Sequence, residues 1–309
     1  MDMAVERPEF VDVVVVGGSF AGLSAAIYLA RGRRRVVVVD EGLTRNRFAP
    51  AGHSLFGFDG RPPAEIRAAG MRDLLAYPTA RVVQGRVATI TENAGVFDVK
   101  GQGVALRARR IILAHGMRDI LPDLPGLDQV WGKQAFQCPY CHGYEAADRP
   151  TAIWMNAHMG VDHALFLRQW AGRELTLLTN GAAVPEGAER LAAAGIGVET
   201  GRLQGVSLRD GQMVGLVLDS GELPAEVLYM MPRSEPASDL AAQLGLEMVE
   251  GPAGAYVKVD EMKQTSRKGV FAAGDLIRPM YGAAFAVADG AMAGPACHRS
   301  LVMEDLGRG

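Results

Sequence analysis

Cysteine is scarce in this chain: only three cysteines occur among 309 residues, at positions 138, 141 and 297. Three cysteines do not make the disulfide framework of a small secreted domain, so the fold must depend on a hydrophobic core. Hydrophobic residues make up 49% of the chain and charged residues 22%, which is typical of a globular protein. Because a lone close pair of cysteines in a reducing compartment is more often catalytic than structural, residues 138 and 141 are the first candidates for function.

The sequence also lacks a strong net charge and a long hydrophobic run. A formal net charge of -3 gives no electrostatic basis for binding nucleic acid or an anionic membrane. The longest apolar run, residues 11–22, is interrupted by Asp12 and is too short to cross a bilayer. The N-terminus carries Asp2, Glu6 and Arg7 and no pattern of a secretory signal. We therefore expect a cytoplasmic protein without membrane attachment.

The two close cysteines stand in the motif CPYCHG at residues 138–143. This spacing occurs in redox-active pairs, in zinc sites and, with the following histidine, in haem attachment. A zinc site needs four ligands, and Cys297 with His298 is remote in sequence and has no second cysteine nearby. Covalent haem requires an exported chain, and a structural disulfide is the fourth alternative. The pattern favours redox chemistry without a metal, and His142 is a candidate proton acceptor because imidazole titrates near neutral pH.

Hydrophobic patterns predict an α/β fold with two domains. The predicted elements are strand 11–16, helix 20–31, strand 36–40, an antiparallel meander over 81–110, strand 111–114, strand 151–155, helix 160–171, strand 174–179, strand 269–273 and helix 283–301. Each strand–helix–strand run indicates a parallel sheet. Turn residues near positions 122–126 and 232–239 indicate two domain crossings. We expect a discontinuous first domain, residues 1–118 and 236–309, with the second, residues 119–235, inserted into it.

A glycine-rich turn, GGSFAG at residues 17–22, joins the first strand to the first helix. Gly17 and Gly22 occupy the outer positions of a G-x-G-x-x-G pattern, and Ser19 stands at the middle position. Such a turn brings a pyrophosphate close to free backbone N–H groups at a helix N-terminus. Asp40 closes the second strand, where a carboxylate can accept a hydrogen bond from a ribose hydroxyl. Together these residues predict a dinucleotide site.

Four motifs in chain order make the sequence similar to the low-molecular-weight thioredoxin reductases. They are the turn at 17–22, the triplet AHG at 114–116, the cysteine motif, and the triplet AGD at 273–275. The resemblance covers almost the whole chain and implies two Rossmann-like, three-layer ββα nucleotide-binding domains, FAD as the cofactor, and a homodimer. It implies cofactor contacts from Gly17, Gly18, Ser19, Phe20, Ala21, Gly22, Asp40, Arg45, Asn46, His53, Ala114, His115, Gly116, Gly274, Asp275, Ala283 and Ala284. Packing within turns and loops is the alternative for His115, which replaces the usual threonine, and for Arg45, Asn46 and His53.

The second strand–turn–helix departs from this family. In the reductases it binds NADPH through a glycine turn, whereas here residues 156–160 read NAHMG, without glycine at the first three positions. Side chains at these positions would crowd a pyrophosphate against the backbone. Residues 179–186, after the next strand, contain no arginine for a 2′-phosphate. We therefore expect a degenerate nucleotide site in the inserted domain.

The longer string CPYCHGYE at residues 138–145 resembles the FAD-dependent dithiol oxidases that close disulfides in natural products such as gliotoxin, holomycin and FK228. This resemblance implies that Cys138, Cys141 and His142 are catalytic. It implies a small-molecule dithiol substrate and O2 as electron acceptor, with H2O2 as product. The alternatives are a thioredoxin-type disulfide reductase that uses NADPH or a donor such as ferredoxin, and an FAD-binding sensor without catalysis.

Overall fold

The computed structural model describes residues 8–172 and 174–307, and no helix in these ranges is long and apolar enough to cross a membrane. Residues Asp2, Glu6 and Arg7, considered above in connection with export, lie outside the described residues. The chain divides into two compact units. The first falls within Met1–Arg47, Pro63–Arg118 and Ser234–Gly309, and the second within Phe48–Pro62 and Asp119–Arg233.

This division differs from the predicted domains mainly in residues 48–62, which the sequence assigns to the first domain, and also in residues 234 and 235, which fall in the first unit. In the structure Gly132 lies directly against Phe48, and the Ser54 hydroxyl donates to the Tyr140 carbonyl at 3.3 Å. Both contacts join the segment to residues 119–233. The segment therefore packs with the second unit, and the predicted boundaries 1–118, 119–235 and 236–309 remain a proposal about the binding domains.

The first unit is built around a seven-stranded sheet. Its elements are β1 (Glu9–Val16), α1 (Phe20–Arg31), β2 (Val36–Asp40), α2 (Pro63–Leu75), β3 (Ala80–Gln84), β4 (Arg86–Asn93), β5 (Val96–Gln102), β6 (Val104–Leu113), α7 (Leu240–Gln243), β17 (Met248–Val249), β18 (Tyr256–Val257), β19 (Val270–Ala272) and α8 (Ala283–Leu306). The strand order is β3-β2-β1-β6-β5-β4, and β19 also pairs with β6. The pairs β1–β2, β2–β3, β1–β6 and β6–β19 are parallel, and β4, β5 and β6 pair antiparallel.

The valines of β1 explain why this sheet is buried on both faces. Val14 and Val16 belong to one hydrophobic cluster, while Val13 and Val15 belong to another that includes residues of α1 and α8. Side chains alternate between the two faces of a strand, so consecutive valines supply two cores. A parallel sheet covered on both sides requires such a continuous apolar strand.

The meander predicted over residues 81–110 is only partly present. Strand β3 pairs with β2 in parallel, from Val36 opposite Ala80 to Asp40 opposite Gln84, so it extends the parallel sheet. Strand β6 runs without a break from Val104 to Leu113. It pairs with β5 over residues 104–108, with β1 from Leu106 to Leu113, and with β19 over residues 111–113. The apolar pattern predicts two elements here, the end of the meander and a strand at 111–114, because the polar residues 107, 109 and 110 interrupt it.

The last helix, α8, packs against α1 and holds the remaining cysteine. Cys297 is fully buried within the cluster that includes residues of α1. Burial raises the pKa of its thiol to about 12. Cys297 is therefore a core residue without thiolate character, as its small-residue helix suggested.

The second unit contains a five-stranded parallel sheet and a three-stranded antiparallel sheet. Its elements are α3 (Leu127–Val130), β8 (Ala135–Phe136), α4 (Pro139–His142), β9 (Thr151–Trp154), α5 (Val161–Leu167), β10 (Leu175–Leu178), α6 (Ala188–Ala193), β11 (Gly197–Glu199), β12 (Leu203–Arg209), β13 (Gln212–Leu218), β14 (Gly221–Pro224) and β15 (Val227–Tyr229). The sheet orders are β11-β10-β9-β15-β8 and β12-β13-β14. The chain crosses between the units in β7 (Met117–Ile120) and β16 (Arg233–Pro236), which pair with each other.

Candidate active site

The turn between β1 and α1 is packed too tightly for side chains at its outer glycines. Gly17 has a φ of 104°, and a Cβ there would lie 2.3 Å from the Ala114 carbonyl oxygen at the end of β6. A Cβ on Gly22 would lie 1.8 Å from the Gly17 carbonyl oxygen. Glycine is therefore required at both positions, as the sequence predicts. The contact also brings the turn against the predicted site residue Ala114.

Helix α1 begins at this turn without a side-chain cap. Ser19 is the N-cap residue in an extended conformation, yet its hydroxyl makes no capping hydrogen bond, and the first turn contains no acidic residue. Phe20, Ala21 and Gly22 form that first turn. The first N–H groups of a helix have no partner within the helix, and the helix dipole favours an anion there. The twelve-residue helix thus presents an anion site of the kind that binds phosphate groups.

Asp40 and Arg67 complete this side of the turn. The Gly18 N–H donates to Asp40 Oδ1 at 2.9 Å, and Arg67 Nε donates to the Gly18 carbonyl at 2.9 Å. An Arg67 Nη2 group also contacts Asp40 Oδ2. Arg67 is not among the residues predicted from the sequence, because nothing in the local pattern of α2 sets this arginine apart. A carboxylate has about four acceptor positions, so Asp40 keeps the capacity to accept from a ribose hydroxyl.

Arg45 and Asp275, both predicted site residues, are brought together. Arg45 lies with Asn46 in a 3-10 turn (Arg45–Phe48), and its Nη1 group is 3.3 Å from Asp275 Oδ2. The Arg45 guanidinium also stacks over the Tyr281 ring, 3.8 Å from its centroid. Asp275 stands in a second 3-10 turn (Gly274–Ile277) that follows β19. This arginine therefore fixes the carboxylate and is itself fixed by an aromatic ring.

The remaining first-unit candidates lie at the ends of β6 and β19 and at the start of α8. Gly274 lies against the glycine-rich turn at residues 17–22, since a Cβ there would lie 2.8 Å from the Ala21 side chain. Ala283 and Ala284 open α8, whose N-cap residue provides no side-chain hydrogen bond. Both ring nitrogens of His115 are inaccessible, and neither makes a hydrogen bond of good geometry to any described residue, although the Gly116 backbone acts on the ring. Burial lowers the pKa of His115 to about 4, so the imidazole is neutral at pH 7.

The second unit holds the redox pair. Cys138 and Cys141 form a disulfide with a Cα–Cα distance of 5.3 Å. Cys138 is the N-cap residue of α4, and Pro139 follows as its first helical residue, where a proline is tolerated. Both cysteines are half-buried, and Tyr140 between them is exposed. The pair is thus built into the start of a helix with its sulfurs linked.

His142 ends this helix beside the disulfide. Its ring stacks on Phe136 of β8, with centroids 4.7 Å apart and an interplanar angle of 11°. Burial lowers the pKa of His142, while the Cys138 backbone and the Glu145 carboxylate act in the opposite direction. Neither ring nitrogen has a hydrogen-bonding partner of good geometry in the part of the chain that the structure describes. His142 is therefore a neutral imidazole that can accept a proton at pH 7.

His53 lies in the second unit and not with its predicted neighbours Arg45 and Asn46. Its Nε2 atom is 3.3 Å from Glu145 Oε1, and its Nδ1 atom is 3.6 Å from Asp59 Oδ2. Any contact of His53 with a cofactor remains a prediction.

The turn after β9 uses its own side chain where a dinucleotide would bind. Asn156 Oδ1 accepts from the N–H groups of His158 and Met159 at 2.8 and 2.9 Å. Helix α5 is short, with Asp162 in its first turn, a charge that disfavours an anion there. The Arg202 side chain packs against Gly181, near the end of β10, a contact that was not predicted from the sequence. Within the described ranges, no group of three or more His, Cys, Asp or Glu residues could hold a metal ion.

A family model described as pyridine nucleotide-disulphide oxidoreductase matches residues 11–292 of this sequence. The chain belongs to this family. Thioredoxin reductase tcpT of Claviceps purpurea is 31% identical over 86% of each chain. The solved structure of an oxidoreductase from Agrobacterium tumefaciens is 41% identical, with a TM-score of 0.88 over 95% of this chain and 99% of that one. The structure of HlmI is 34% identical, with a TM-score of 0.88 over 96% of this chain and 94% of that one.

This pyridine nucleotide-disulphide oxidoreductase is therefore a flavin-dependent thiol/disulfide oxidoreductase with two Rossmann-like domains, and FAD is its cofactor. The first unit fits FAD on its own geometry. The uncapped N-terminus of α1 suits a pyrophosphate, and Gly17 and Gly22 keep the turn free of side chains. Asp40 has acceptor capacity for a ribose hydroxyl. The predictions of family, fold class, enzyme type and cofactor are confirmed.

Proposed function

We propose that this enzyme is a dithiol oxidase, which forms an intramolecular disulfide in a small-molecule natural-product dithiol and uses O2 as the electron acceptor. One observation carries the proposal. The redox pair is intact, whereas the turn that would bind NADPH has two of its N–H groups bonded by Asn156. The disulfide can accept electrons, while the turn that would bind a pyridine nucleotide already has backbone N–H groups bonded to Asn156. Such a chain is suited to receive its electrons from thiols.

The proposed reaction begins with attack of a substrate thiolate on one sulfur of the Cys138–Cys141 disulfide. By family analogy this sulfur is that of Cys138, and Cys141 leaves as the thiolate. The second substrate thiol then attacks the substrate sulfur of the mixed disulfide and releases the Cys138 thiolate. The substrate has lost two electrons and gained an S–S bond, while the enzyme disulfide has become a dithiol. FAD, when bound, supplies the two-electron acceptor that can pass these electrons to O2, giving H2O2.

His142 accepts a proton from an attacking thiol and returns it to an enzyme thiolate in this scheme. A neutral imidazole adjacent to Cys141, without a ring hydrogen bond of good geometry among the described residues, supports this role. Its stacking on Phe136 supports a fixed ring position.

The first unit would hold FAD through the residues named from the sequence. We propose that the N–H groups of the turn at residues 17–22 face the pyrophosphate, that Asp40 takes a ribose hydroxyl, and that Asp275, held by Arg45, takes the ribityl region. Residues 114–116 and 283–284 would border the flavin ring. A homodimer and a cytoplasmic location also remain predictions.

Anaerobic titration of the FAD-containing enzyme tests the proposal. We expect a small dithiol such as dithiothreitol to bleach the flavin, and air to restore the colour with release of H2O2. Bleaching by NADPH, and not by the dithiol, would instead favour a thioredoxin-type reductase, as the names of relatives suggest. If neither reagent bleaches bound FAD, the chain is not a catalyst of this kind and the sensor hypothesis applies.

A further inference from the structure

Glu145 stands on the same side of the redox helix as His142. The helical turn continues past α4, because the Ala146 N–H donates to the His142 carbonyl at 3.0 Å. Residues three apart in a helical turn lie on one face. Consistent with this, the negative charge of Glu145 acts on His142 and opposes the effect of burial on its pKa. The imidazole beside the disulfide therefore has a carboxylate as a near neighbour.

The segment formed by residues 48–62 is a closed loop that is fastened to the same helix. The Gly52 N–H donates to the Arg61 carbonyl at 2.8 Å, and the Gly60 N–H donates to the Gly52 carbonyl at 2.9 Å. Within the loop, the Ser54 N–H donates to Asp59 Oδ1 at 2.7 Å. The Ser54 hydroxyl reaches the Tyr140 carbonyl between the two cysteines. These bonds fix the residue that lies between Gly52 and Ser54, which is His53.

His53 lies between two carboxylates. Its Nε2 atom is 3.3 Å from Glu145 Oε1, and its Nδ1 atom is 3.6 Å from Asp59 Oδ2. The His53 side chain is 20% exposed, whereas Glu145 and Asp59 are 50% and 71% exposed. With one ring nitrogen beside the Glu145 carboxylate and the other near the Asp59 carboxylate, the His53 imidazole restricts where the Glu145 carboxylate can lie.

We propose that His53 and Glu145 are positioning residues for His142, so that the redox centre extends from the two sulfurs through His142 to a carboxylate held by a second imidazole. The inference deepens the proposed function and rests on it only for the role of His142 as proton acceptor. The charged and titratable groups that act on His142 are Glu145 and His53, beside the two cysteines, and Asp59 acts on His53.

This arrangement predicts how the thiols of the reduced enzyme titrate. A carboxylate near His142 favours its protonated form, and an imidazolium beside a cysteine favours the thiolate. Loss of the Glu145 charge should therefore raise the pKa of the neighbouring thiol. Loss of the His53 side chain should raise the pKa of this thiol by a smaller amount, because the Glu145 carboxylate remains and is only less well positioned.

The experiment measures thiolate formation without any need for turnover. The holoenzyme is reduced anaerobically with a phosphine, freed of it, and alkylated with iodoacetamide between pH 5 and 9, with modification of residues 138 and 141 read by mass spectrometry. For Glu145→Gln we expect the midpoint of the rate profile to rise by about half to one pH unit, with a roughly three- to tenfold lower rate at pH 7. His53→Gln should show a smaller rise, and Glu145→Asp should recover most of the wild-type profile.

Glu189→Gln is the matched control, because Glu189 is an exposed carboxylate of the second unit on α6. It should give the wild-type profile. Thermal unfolding of each variant separates a local effect from loss of the fold, and His53→Gln provides a second reading if Glu145→Gln does not fold. Equal profiles for Glu145→Gln, His53→Gln and the control would overturn the inference, even if dithiols bleach the flavin. A raised midpoint would support it even if O2 proved not to be the acceptor.

Discussion

Asp289 provides the sharpest test of what holds the first unit together. This residue of α8 is 1% exposed, and its Oδ1 atom lies 2.9 Å from Lys263 Nζ and 2.8 Å from an Arg278 Nη2 group. Lys263 stands in the turn before β19, and Arg278 directly follows the 3-10 turn that carries Asp275. Replacement by asparagine keeps the shape of the side chain and removes the charge. The change therefore tests whether the ion pairs fasten these three segments.

The magnitude follows from the burial of the partners. Removal of one member of a buried ion pair costs about 3–5 kcal/mol, because the partner charge remains desolvated. Lys263 and Arg278 keep 18% and 32% of their side-chain exposure, so part of their charge is solvated after the change. We therefore expect Asp289→Asn to lower the free energy of unfolding by about 2–3 kcal/mol at pH 7.

The pH dependence gives an independent check. Burial alone would raise the pKa of Asp289, but hydrogen bonds from Arg278 and Lys263 lower it below its ordinary value. A carboxylate with a lowered pKa in the folded state stabilises the fold above its unfolded-state pKa, and this contribution is lost as the pH falls through the folded-state pKa. The difference in the free energy of unfolding between wild type and Asp289→Asn should thus be constant from pH 7 to about 5. It should decrease only below about pH 4.

Urea denaturation followed by far-UV circular dichroism, at one fixed FAD concentration, measures the effect. The matched control is Glu261→Gln, which removes an exposed carboxylate from the turn that contains Lys263. The control should unfold close to wild type. If Asp289→Asn also unfolds within about 0.5 kcal/mol of wild type, the ion pairs do not stabilise this unit and the reasoning fails.

Three further predictions concern the site. Replacing Cys138 or Cys141 by serine should abolish flavin bleaching by dithiols and leave FAD bound, and full turnover by either variant would refute their redox role. Gly22→Ala should yield protein that has lost most of its FAD, since the new Cβ would lie 1.8 Å from the Gly17 carbonyl oxygen, whereas Gly160→Ala, with open space at its Cβ, should remain yellow. Anaerobic NADPH should leave the flavin spectrum unchanged, because N–H groups of the second turn are already bonded; rapid bleaching would contradict this.

Local pattern was enough to predict the first nucleotide turn. The consecutive valines of β1, the glycines of the turn and Asp40 lie within 32 residues of one another, and each has a steric or hydrogen-bonding reason for its position. The structure gives these residues the predicted elements, from β1 (Glu9–Val16) to the end of β2. Where a short stretch of chain builds the whole feature, periodicity and residue type suffice.

Contacts between distant parts of the sequence could not be predicted in this way. Arg67 reaches Gly18 and Asp40 across 49 and 27 residues, and His53 reaches Glu145 across 92 residues. No period or motif in a single sequence indicates which arginine or histidine makes such a contact. The same holds for Asn156, whose replacement of glycine was visible, although its hydrogen bonds to the turn were not.

Because Cys297 is buried, the number of cysteines that react with a thiol reagent depends on the redox state and on the folding of the protein. In the folded, oxidised chain every cysteine sulfur is either in the disulfide or buried in the core, so a thiol reagent should find nothing to label. Gentle reduction should expose two reactive groups, and only unfolding should expose the third. Native titration can thus report oxidation and integrity of the fold in one measurement, without any engineered probe.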